Sequence, residues 1–136
     1  MTALSAAALL SGAVAPGVHR GAPVPSVDVL AAEVGAAGWT VRRLPEAGVR
    51  DGAAFLAACG RALDFPHWYG QNWDALADCL RDLTWLPGPG VALLWPDADA
   101  LAEADPPAWR LALEVFAAAA GTRVTIARPP LHLLVL

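Results

Sequence analysis

The chain has no lysine: its nine basic residues are all arginines, set against thirteen acids, for a formal net charge of −4. So little cation argues against nucleic acid as a partner and for a basic protein. Cysteine is almost as scarce. Cys59 and Cys79 cannot make a disulfide framework, and neither has a companion ligand pair for zinc, so both are expected as buried free thiols in a reducing compartment. The short motifs of catalysis are missing too. There is no phosphate-cradling glycine loop, no HExxH and no serine at a glycine elbow; beyond position 10 only Ser11 and Ser26 remain. Outside the first 19 positions no uncharged apolar run reaches the roughly 18 residues that a membrane span needs. Those first positions lack a basic n-region, which favours a flexible extension over a cleaved leader.

What is present is mostly alanine, leucine and valine. At 136 residues and 57% hydrophobic, with so much of that alanine, the chain suits one helix-rich domain with a real core. Residues 1–25 carry little charge and include Pro16, Pro23 and Pro25, so they are expected as a flexible N-terminal arm ahead of a domain at 26–136. Val27, Leu30, Ala31 and Val34 recur at helical spacing, ended by Gly35 and Gly38. "WTVRRL" (39–44) reads as a strand. Asp51 caps a helix lined by Phe55, Leu56, Cys59 and Leu63. "VALLW" (91–95) is apolar on both sides, as a strand buried inside a parallel sheet would be. A short surface helix at 97–104 precedes a longer one, capped by Asp105 with Pro106 at its first position and ended by Gly121. "RVTIAR" (123–128) is expected as a third strand, and "LHLLVL" (131–136) as a further strand or a packed tail. Strands separated by helices give an α/β layer with a parallel sheet.

One stretch departs from this apolar background: "FPHWYGQNWDALADCLRDL", residues 65–83. Asn72 is placed to cap a helix, and Gly70 to turn the chain at positive φ just before it. From Trp73 onward Leu76, Cys79, Leu80 and Leu83 share a core face. Asp74, Asp78 and Asp82 share the opposite one, with Ala77 and Arg81 beside them. Like charges at four-residue spacing weaken a helix by a few tenths of a kcal/mol each, and only Asp74 gains from first-turn placement. Trp68, Tyr69 and Trp73 crowd the preceding loop, and aromatics beside acids are common anchors at protein interfaces. Trp73 falls at the edge of the core face and is expected to be partly buried. A competing arrangement would place His67, Asp74 and Asp78 on a metal or in acid–base work. The other histidines, His19 and His132, lie in no motif, so His67 is expected as an exposed loop residue.

At these residues the chain resembles the barstar family of intracellular ribonuclease inhibitors. The likeness rests on "FPHWYGQNWDALADCL": proline, two aromatics, glycine, one variable residue, asparagine, one residue, then Asp-Ala-Leu and Asp-Cys-Leu. The order of elements from about Trp39 to Arg128 also fits, leaving the first 25 or so residues and the last eight outside. The resemblance implies a three-stranded parallel sheet packed with helices, here with an N-terminal extension. It implies a stoichiometric inhibitor whose loop and acidic helix enter a ribonuclease cleft. Asp78 would meet the enzyme's phosphate-binding cations and Asp74 would be a second contacting acid. Trp68 would stack on the enzyme, and Gly70 and Asn72 would be loop contacts.

Three departures qualify the likeness. Ala77 stands where the family's best-known member has tryptophan. A glutamate contacting the enzyme late in the fourth helix has no counterpart, since Ala117 to Ala120 follow Phe116. Arg81 sets a positive charge beside the acids. The expected interface is thus Trp68, Gly70, Asn72, Trp73, Asp74, Ala77, Asp78 and Arg81, on a cytoplasmic monomer with no cofactor, no catalysis and a basic ribonuclease as target. The alternatives are an antitoxin-like module for a toxin that is not a ribonuclease and, more distantly, a small metal-dependent hydrolase.

Overall fold

Val91–Trp95 is buried along its whole length, and the fold is built around it. The computed structural model describes residues 4–21, 24, 26–45 and 47–136. In chain order the elements are α1 (Ala6–Ser11), β1 (Gly17–Arg20), α2 (Val27–Ala36), β2 (Thr40–Arg43), α3 (Gly52–Ala62) and α4 (Trp73–Asp82). There follow β3 (Val91–Trp95), α5 (Asp99–Ala104), α6 (Pro106–Thr125) and β4 (Leu131–Val135). The four strands form one sheet in the order β1-β4-β3-β2, and every pairing is parallel.

Alternation along the strands divides the core in two. Val91, Leu93 and Trp95 point to one face with Leu131 and Leu133, beneath the apolar sides of α3, α4 and α6. Ala92 and Leu94 point to the other with Leu134, where Leu9 of α1 and Leu30 and Val34 of α2 cover them. Three of the helices open on caps visible in the sequence. Asp51, Asn72 and Asp105 each accept a backbone N–H three residues on, from Ala54, Ala75 and Ala108.

The structure corrects two expectations. The sheet has four strands, not three, and the additional one comes from the segment expected as an arm. Leu4, Ala6 and Leu9 are buried, β1 pairs with β4 over four residues, and the Arg20 guanidinium sits 5.9 Å above the Trp109 ring. Residues 1–3, 22, 23 and 25 of that segment, Pro23 and Pro25 among them, lie outside the described residues. The second correction concerns "RVTIAR". Gly121 does not end the long helix; α6 runs on to Thr125, and the strand is Leu131–Val135 instead. The β-branched residues there are outweighed by tertiary bonds of Arg123, whose side chain donates to the carbonyls of Leu80, Arg81, Asp82 and Pro129. Ala127 then turns at φ 57°, and Pro129 and Pro130 rule out further helix.

Candidate functional site: an acidic helix and its aromatic loop

The loop 64–72 is fixed to the body of the protein by its less conspicuous aromatics. Tyr69 donates its hydroxyl to the Leu56 carbonyl at 3.0 Å, and its ring meets Phe65 edge-on at 4.7 Å. Gly60 makes room for this, since a Cβ there would come within 3.0 Å of the Tyr69 ring. Tyr69 therefore holds the loop down and is only half exposed, and burial raises its pKa. Trp73 is partly buried as expected: it stacks on Phe55 at 5.9 Å with 21° between the rings. Trp68 is different. It is 57% exposed, a large apolar side chain held on a loop that is itself anchored on both sides.

The entry to α4 is built otherwise than the sequence suggests. Positive φ falls on Gln71, at 49°, and not on Gly70. Space at position 70 is tight, since a Cβ would stand 3.1 Å from the Asn72 side-chain nitrogen. The Asn72 Oδ1 accepts from Ala75 N at 2.8 Å, which fixes the start of α4. Leu76, Cys79 and Leu80 are buried beneath it, while Asp74 and Asp78 are exposed and Asp82 and Ala77 half exposed. The two faces of α4 are as the spacing predicts.

Charge on the acidic face is partly paired within the chain. Arg81 forms an ion pair with Asp78 on the next turn, and Arg128 lies 3.7 Å from Asp82. Asp74 has no ion-pair partner among the described residues. The thiols nearby are buried, and burial raises the pKa of Cys59 and, with the charges of Asp78 and Asp82 adding to it, that of Cys79. His67 is exposed. Among the described residues no three His, Cys, Asp or Glu side chains cluster so as to hold a metal ion. No helix of those residues is long and apolar enough to cross a membrane.

Each residue of the expected interface thus lies on one loop and one helix. Arg123, which the sequence placed on a strand, joins the C-terminal end of that helix from below; only its burial with many backbone acceptors, invisible in sequence, marks it out.

An α/β domain that holds exposed acids and an exposed tryptophan on a capped helix and the anchored loop before it has the form of a protein-binding domain. The chain belongs to the barstar family: the family model described as Barstar (barnase inhibitor) matches residues 39–133. The match runs beyond Arg128 into β4, so part of the C-terminal run expected outside the family pattern lies within it. The members of this family are inhibitors, not enzymes. A search of curated proteins finds no match.

Proposed function

We propose that this chain is a stoichiometric inhibitor of a small basic ribonuclease of extracellular type, and that it closes the enzyme's cleft with α4 and the loop before it. One observation carries the reading: Asp74 and Asp78 stand exposed on a helix capped by Asn72, and Trp68 is exposed on the loop that leads into it. The carboxylates would take the place of RNA phosphates against the enzyme's cations, and Trp68 would supply buried area at the edge. Gly70, Asn72, Trp73, Ala77 and Arg81 would complete the contact surface. The free thiols Cys59 and Cys79 suit a cytoplasmic inhibitor acting as a monomer, one to one.

A second reading is favoured by the Asp78–Arg81 pair, which gives the face mixed charge. Such a face also suits a toxin other than a ribonuclease. Titration of RNA cleavage by barnase, and by other basic ribonucleases, separates the two. A sharp equivalence point supports the first reading; full cleavage at excess inhibitor across the set rejects it.

A further inference from the structure

The acidic helix ends on an expensive conformation. Its C-cap, Leu83, lies at φ 51°, in the left-handed region that glycine usually fills at this position. Leu83 cannot be glycine without loss, because its side chain is buried in the main core. Something else must hold this end of α4.

Arg123 does so. It is 1% exposed, the one buried arginine among the described residues. Its Nη1 donates to the carbonyls of Leu80, Arg81 and Asp82 at 3.2, 3.1 and 2.9 Å, which are three of the orphan acceptors at the end of α4. Its Nε donates to Pro129 O at 2.9 Å, in the loop leading into β4. Among the described residues the guanidinium makes no ion pair with a carboxylate, and it faces the negative end of the α4 dipole. One side chain on α6 therefore ties the last turn of α4 to the loop that leads into β4.

We infer that Arg123 is a positioning residue for the binding face, setting the register and tilt at which α4 presents Asp78 one turn before the clamp. This rests on the inhibitor reading above. The physical reason is preorganisation: an acid that must meet buried cations gives full affinity only if its helix is already ordered before contact. The planar fork matters as well as the charge. A lysine ammonium retains the charge but cannot span three carbonyls and Pro129 together.

The test uses the full chain with Arg123→Lys and Arg123→Met, each alone and combined with Asp78→Ala or Trp68→Ala. Amide hydrogen exchange is read first, without any partner. The expected result for Arg123→Lys is loss of protection concentrated in α4, with α3 and β3 unchanged. Affinity for barnase should then fall roughly tenfold, the scale of coupling between groups that act together. That loss should shrink when Asp78 is already alanine, and persist in full when Trp68 is, because Trp68 sits on the loop and not on α4. An exchange increase spread evenly over the protein, equal losses in both backgrounds, or failure of both variants to fold would overturn the proposal and leave Arg123 a general stability residue. If the wild-type chain binds no basic ribonuclease, the inhibitor reading fails on that arm alone. The exchange pattern still decides whether Arg123 holds α4.

Discussion

His19 Nε2 lies 2.8 Å from His132 Nδ1, with the two rings stacked at 5.1 Å between centroids. This bond joins β1 to β4 on the smaller face of the sheet, and Trp39 stacks on the His132 ring at 5.7 Å. One ring donates and the other accepts, so the contact needs at least one neutral imidazole. His132 is 1% exposed. The elements around the pair supply no compensating charge. α1 carries no ionisable residue, and on α2 Asp28 and Glu33 are exposed, the former paired with Arg43.

Stability should therefore fall in mild acid. Burial, and secondarily the neighbouring His19, lowers the His132 pKa from 6.5 to about 4; burial lowers that of His19 as well. The unfolded chain then binds protons first, so stability is complete above pH ~6.5 and is lost as pH falls toward 4. The loss from His132 is on the order of 3 kcal/mol at most. Urea midpoints at pH 7.5 and 4.5 should differ clearly in the wild-type chain and much less in His132→Leu. Equal slopes in the two proteins would show that other groups govern the acid limb.

Removal of residues 1–21 should destabilise the protein, where a flexible arm would come off almost without effect. The deletion strips Leu4, Ala6 and Leu9 from Leu94 and Leu134, and exposes the edge of β4. Two buried leucines at roughly 1.5–3 kcal/mol each put the loss at several kcal/mol before any ladder bond is counted. The expected outcome is a lowered denaturation midpoint with binding retained by whatever remains folded, because α4 lies on the other face. An unchanged midpoint would mean that the docking of α1 and β1 contributes nothing.

Why this segment was not legible is physical. "GVHR" is four residues long and has no alternation of its own; it becomes a strand because β4 offers it a partner and because His19 meets His132. "RVTIAR" has the reverse history. Its β-branched residues promise a strand, and Arg123, reaching carbonyls some forty residues earlier in the chain, makes it helix. Carbonyl acceptors carry no residue identity, so no pattern announces them. The caps at Asp51, Asn72 and Asp105 and the buried run of β3 were legible because each depends only on near neighbours. The placement of the candidate residues on one loop and one helix was legible for the same reason, the stretch being contiguous from Trp68 to Arg81.

The two tryptophans of the site should separate folding from binding. Trp68→Ala removes a side chain that is mostly in solvent, so stability should stay within about 0.5 kcal/mol while inhibition of barnase weakens. Trp73→Ala removes the ring stacked on Phe55 and opens a gap beside Gly52, where an added Cβ would stand 3.4 Å from that ring. That should lower stability by about 2–4 kcal/mol. Thermal unfolding and ribonuclease titration on the same samples give both numbers. Equal destabilisation by the two changes would count against the division of labour seen in the loop.

The sharpest prediction concerns Asp78. Its pair with Arg81 is solvent-exposed on both sides, and such pairs contribute less than about 1 kcal/mol, so Asp78→Ala should fold normally. Binding should behave oppositely. Truncation would leave cations of the ribonuclease buried against an apolar methyl, a loss of several kcal/mol, on the order of a thousandfold in affinity. That size is the one known for close charge pairs of barnase with barstar, carried over to this chain. Asp74→Ala should cost less. Asp82→Ala should cost least, since Arg128 lies 3.7 Å from it and it is furthest from Trp68. Arg81→Ala should speed association with a cationic cleft by freeing Asp78 and removing a like charge, and association should slow as salt rises. Stopped-flow association and titration of RNA cleavage, with circular dichroism to confirm folding, measure all four variants. A folded Asp78→Ala protein that inhibits as well as wild type would show that the carboxylate does not stand in for phosphate.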